Sequence, residues 1–173
     1  MTLQDVFDLA KFFLSLKDND GREEMLVKCC NLAYRSTAQG YLPLYFTETA
    51  ALTDGELLLR DLSKDIVAIK SVTDKNGAEI LYKLFVDRIK AGAPEIVITY
   101  AYLPEEVELP DELDYVGGKV DARLLAYGAA AEFCLIAGLY DDAAVWDARY
   151  ALAVRAAQRP KSSLRLPARP WRA

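Results

Sequence analysis

"EIVITYAYLP", residues 95–104, has a period of two: Ile96, Ile98, Tyr100 and Tyr102 share one face of an extended chain, and Val97, Thr99, Ala101 and Leu103 the other. β-branched and aromatic residues fill it, and Pro94 and Pro104 fence it. Both faces are apolar, which predicts a strand at the centre of a sheet or against another layer. Directly beyond lies "PEEVELPDEL", an acidic link cut by two prolines. There the period changes to 3.6. Val116, Val120, Leu124, Tyr127, Ala131, Cys134 and Leu135 then recur at helical spacing, predicting a helix over about 113–137 that Gly138 ends. The small residues of "AYGAAAEF" allow a second helix to approach closely.

The period-two character extends back to Tyr41. Its clearest piece is "DIVAIKSVTDKNGAEILYKLFVDRI", residues 65–89, where Asn76-Gly77 between two apolar alternating runs predicts a hairpin with a type I′ turn. Asp54-Gly55 is a second turn, with a short strand expected over 56–59. Before Tyr41 the pattern is helical. Leu3, Val6, Phe7, Ala10, Phe13 and Leu14 predict a helix over 3–16, capped by Thr2 with Asp5 three residues on. "KDNDG" interrupts, and Leu26, Cys29, Cys30, Ala33 and Tyr34 carry a second helix to Gln39-Gly40. At the other end, Asp141-Asp142 suit a helix start, and Ala143, Trp146, Tyr150, Ala153 and Ala157 form a stripe that runs to Pro160.

The expected fold is therefore α+β, one domain over 1–173. Two helical hairpins, 1–40 and 111–158, form a bundle; an antiparallel β segment, 41–104, is inserted between them; an extended basic tail, 159–173, follows.

A chain of 173 residues buries roughly 70% of its unfolded surface and needs no staples. Its 53% hydrophobic and 27% charged residues are ordinary for a folded globular chain, and no apolar run reaches the length of a membrane span. Residues 1–17 lack the features of a signal peptide, so the chain is expected to stay in the cytoplasm in which it is made. Cys29, Cys30 and Cys134 lie in apolar helical patterns and read as buried free thiols.

The sequence contains no histidine, which removes the commonest general base and metal ligand. Gly117-Gly118 has no phosphate-loop context and reads as a kink before a helix. Glu105, Glu106, Glu108, Asp111, Glu112 and Asp114 crowd one linker without the spacing of a calcium loop, so a solvated acidic link is the simpler reading. No catalytic, cofactor-binding or metal-ligating residue is assigned, and no enzyme activity is expected. Two alternatives stay open: a small-ligand-binding β module, and a cation-dependent enzyme built on the linker carboxylates.

Charge is distributed unevenly. The net charge is −5, yet residues 1–154 carry 15 Lys/Arg against 26 Asp/Glu, while 155–173 hold six Lys/Arg and no acid. An acidic body argues against nucleic acid as the main partner. The closing "RPKSSLRLPARPWRA" sets Arg159, Lys161, Arg165, Arg169 and Arg172 around Leu164, Leu166 and Trp171, with three prolines. Arg and Trp on an extended Pro-containing segment are the composition of a docking arm. A tail lying loose or on its own acidic subunit is the competing reading.

The order "GAPEIVITYAYLPEEVELPDEL", then "RLLAYGAAAEFCLIAGLYDDAAVWDARYALAVRAA", then "RPW" resembles the head-to-tail connector (adaptor, head-completion) proteins of tailed bacteriophages and prophages. The likeness is one of order and texture along nearly the full chain. It implies a structural protein of the virion neck, assembled in the bacterial host cytoplasm. It also implies a homo-oligomeric ring of about twelve subunits beneath the portal in the assembled particle, a monomer in solution being compatible with it, with portal, tail or neck proteins as partners, no cofactor and no membrane. Genomic DNA would pass through without specific binding, and an acidic lining would let it slide. The β segment is larger than in the smallest members of that group.

Overall fold

The computed structural model describes residues 1–17, 21–115 and 118–159. Among the described residues, four α-helices and two small antiparallel sheets make an α+β fold.

Helix α1, Leu3–Phe13, starts at a reciprocal cap: the Thr2 hydroxyl accepts from the Asp5 amide at 3.2 Å, and the Asp5 carboxylate accepts from the Thr2 amide at 2.8 Å. Helix α2, Glu23–Gly40, buries the predicted stripe of Leu26, Cys29, Cys30, Ala33 and Tyr34. Helix α3, Ala122–Ile136, is buried on almost every side, and α4, Tyr140–Gln158, buries only Ala143 and Val154. A helix apolar all round must sit centrally; α3 accordingly packs against α1, α2 and α4. Its Gly128 is the point of closest approach, since a Cβ there would stand 3.0 Å from Ala33 Cβ and 3.2 Å from the Tyr150 ring. Beside that point the Thr37 and Tyr150 hydroxyls meet at 2.8 Å, joining α2 to α4.

The helix predicted over 113–137 starts later. Asp121 caps α3 by accepting from the Leu124 amide at 2.8 Å, so residues 111–121, expected in the bundle, are not helical where described. The carboxylate at 121 offers the backbone a better start than the weakly periodic residues before it. Val116 and Gly117 lie outside the described residues.

In the first sheet β6, Glu95–Tyr102, lies between β1, Leu44–Ala51, and β3, Ile66–Thr73. The central position expected of residues 95–104 is thus observed. Leu44 opposes Tyr102 and the β1 register runs unbroken to Ala51 opposite Glu95. On β6, Ile96, Ile98 and Tyr100 are fully buried and Tyr102 nearly so, and the strand meets α2. Burial of each such side chain stabilises by about 1.5–3 kcal/mol.

The second sheet has the order β2, Glu56–Leu58; β5, Arg88–Ala91; β4, Tyr82–Leu84. It changes the expected hairpin in two ways. Residues 74–77 form a turn in which only Gly77 has positive φ, because the Asp74 carboxylate accepts from the amides of Asn76 and Ala78 at 2.8 Å each and fixes a type I geometry. The type I′ turn occurs instead at Asp54-Gly55, with φ of +55° and +77° and paired bonds between Thr53 and Glu56 at 3.0 Å. Second, of the expected second arm only Glu79 and Ile80 stay beside β3, and the run after them crosses to β5, Tyr82 opposing Ala91 and Leu84 opposing Ile89.

Among the described residues no helix is long and apolar enough to cross a membrane.

Candidate functional site

Of the residues expected to form a docking arm, Arg159 alone is described; Lys161, Leu164, Arg165, Leu166, Arg169, Trp171 and Arg172 lie outside the described residues. Arg159 is exposed and follows the last turn of α4 with extended backbone, φ −60° and ψ 129°. It lines a hollow of about 320 Å³ between the start of α3 and the end of α4, together with Lys119, Arg123 and the apolar surface of Leu124, Tyr127 and Ala153. None of these three cations has an ion-pair partner among the described residues. The one acid in the lining, Asp121, is held by the helix cap. Two α-helix termini, far apart in sequence, thus bring Lys119 and Arg123 to Arg159. Sequence reading missed this pairing; the only local signal was that neither cation has an acid at helical spacing to pair with.

The acidic linker is built into the structure. Leu3 donates to the Asp111 carbonyl at 2.9 Å and Leu113 to the Met1 carbonyl at 3.0 Å, so the linker pairs with the start of the chain. Further back, Asn31 on α2 is 6% exposed and clamps Val107: its side-chain oxygen accepts from the Val107 amide at 2.8 Å and its nitrogen donates to the Val107 carbonyl at 3.0 Å. An Asn in mid-helix on a buried face was the signal for such a clamp. Asp114 accepts from the Tyr102 hydroxyl at 2.9 Å, and Arg35 pairs with Glu106 at 3.3 Å. Among the described residues no three His, Cys, Asp or Glu side chains converge as metal ligands, so the linker carboxylates are not gathered into one site.

One further polar cluster joins the sheet to the loop after β2. Glu48 accepts from the Tyr100 hydroxyl at 2.5 Å, from the Ser63 amide at 3.0 Å and from the Ser63 hydroxyl. Burial raises the Glu48 pKa, but the hydrogen bonds from Ser63 and Tyr100 outweigh it and hold the carboxyl below its ordinary 4.5. Burial, then the bond to Glu48, pushes the Tyr100 phenol well above its usual range, so it stays a donor. The cluster braces the sheet against that loop.

The cysteines are free and buried as expected. Burial first, then the charge of Glu132, raises Cys29 to about 11, and burial raises Cys30 to about 12. Thiols so protonated are poor nucleophiles. On the second sheet, a shallow hollow of about 390 Å³ is lined by Glu56, Phe85, Val86, Asp87, Arg88 and Lys90; ion pairs from Arg88 and Lys90 to Glu56 and from Arg88 to Asp87 occupy its charged groups.

No protein-family model matches the chain, and no curated protein matches it.

Proposed function

We propose that this protein is a structural assembly component of a tailed-phage or prophage particle: a head-to-tail connector that joins a ring beneath the portal and catalyses no reaction. In this reading the four helices work as a bundle of two hairpins, the β segment faces a neighbouring neck or tail component, and residues 159–173 dock on the portal or an adjacent subunit. Its place would be the virion neck after assembly in the host cytoplasm, with DNA passing an acidic lining that does not grip phosphate.

The observation that carries the reading is the positive pole where the chain leaves α4. Lys119 and Arg123, with no ion pair among the described residues, stand beside Arg159, where the basic tail starts, on a body whose residues 1–154 carry a net −11. A basic tail starting there is repelled by the nearest groove of its own subunit, which favours an arm that reaches a partner. The order of strand, acidic proline linker, Ala-rich helix and aromatic-bearing helix supports it as well.

Deleting residues 159–173 and measuring capture by purified portal rings tests the proposal. The expected result is loss of capture with a Tm within about 2 °C of the full chain. A truncated chain that melts some 10 °C earlier, or one that still binds the portal, would overturn the docking role.

A further inference from the structure

The groove that contains Lys119, Arg123 and Arg159 has one acid in its lining, Asp121, which the helix cap engages, and the same chain carries an acidic strip of complementary charge. Glu105, Glu106, Glu108, Asp111 and Glu112 are all exposed, and of these only Glu106 has an ion-pair partner among the described residues. Val107 and Leu109 turn toward the core, which leaves the carboxylates outward on a strip that Asn31 and the first residues of the chain hold in place. A strip already ordered loses little entropy on docking. It does not line its own subunit's groove: the two bonds to Asn31 hold Val107 against α2, and Glu112 lines only the adjoining hollow, with Gly118 and Asp121. The groove also faces the N-terminus of α3, whose partial positive charge favours carboxylates.

We infer that this cationic groove receives the acidic linker, residues 105–112, of a second copy of the chain. The inference rests on the assembly reading above for its claim that copies associate, and it names the surfaces that do so. Lys119, Arg123 and Arg159 supply the charge complementarity; Tyr127 and Leu124 form the floor on which the strip lies. Contacts of this kind set register and partner choice, and they weaken as salt rises.

The test uses the full chain. Light scattering at low salt, about 20 mM, and at protein concentrations up to about 1 mM gives the association constant, and at about 500 mM salt the association falls. Arg123→Glu weakens it by about tenfold or more, and mixing that variant with Glu108→Lys recovers most of the loss. Separately, Glu108→Cys and Ala156→Cys proteins are mixed under oxidising conditions. A disulfide-linked heterodimer is expected, since Ala156 lines the groove and the native cysteines are buried. The proposal is overturned by a strict monomer, by association indifferent to Arg123→Glu, by no heterodimer, or by Arg123-dependent binding to a short DNA duplex without self-association. The chain lacking 160–173, which retains the groove residue Arg159, keeps the association. If it does not, the tail and not the linker joins the copies, and the groove is wrong while the assembly reading stands; loss of portal capture alone leaves the groove intact.

Discussion

The two sheets have three antiparallel strands each and come from the same 60-residue stretch of sequence, yet they are built differently. The first has an eight-residue central strand whose Ile96, Ile98 and Tyr100 are fully buried, and it lies against α2. The second buries Leu57, Ile89 and Ala91, while all of β4 is exposed and Leu81 and Val86 beside it are 97% and 101% exposed. The difference teaches that apolar content does not assign a strand to the core. What counts is whether a second layer covers its face, as α2 does where it meets β6 of the first sheet.

Three experiments can break or sharpen that contrast. The largest effect is expected from Ile98→Ala, which opens a cavity in the core behind the central strand and costs about 2–5 kcal/mol, read as a lower denaturant midpoint with unchanged slope. A cost no larger than that of a surface substitution would mean that the first sheet is not the anchored one.

A smaller effect concerns pH. The Glu48 carboxyl is held below its ordinary 4.5 by Ser63 and Tyr100. Its contribution is therefore complete above that unfolded value and is lost as pH falls through the lowered folded value. Glu48→Gln should flatten the stability profile in that acid window, at a cost near neutral pH of about 1–2 kcal/mol. A variant that keeps the full acid dependence would place its origin in other carboxylates.

The smallest effect is expected from Leu81→Ser and Val86→Ser on the second sheet. Both side chains already meet solvent, so stability should change by no more than about 0.5 kcal/mol. A cost of several kcal/mol in the isolated chain would show that the tip is covered in solution, and the contrast between the sheets would fail.

Much of the fold was legible because it depends on local rules. The central strand at 95–104, the Thr2–Asp5 cap and the buried stripe of α2 follow from periodicity and from short-range hydrogen bonds. The turn at residues 74–77 was misread because Asn-Gly suggests type I′, whereas the Asp74 side chain, two and four residues away from the amides it takes, imposes another geometry. The late start of α3 was missed because an apolar residue at helical spacing, such as Val120, can be buried without being helical.

The candidate site was legible only in composition. Counting charges shows a basic end on an acidic body, and that much needs no structure. That Lys119 and Arg123 join Arg159 at one groove, and that Asn31 fixes the acidic linker so that its carboxylates face outward, required the packing of α2, α3 and α4 around Gly128. Sequence by itself determined the elements, their caps and the charge asymmetry, since those are set by residues within a few positions of one another. Tertiary structure decided which strands share a sheet and which charges share a surface, because both depend on contacts between residues tens of positions apart, and no local pattern encodes them.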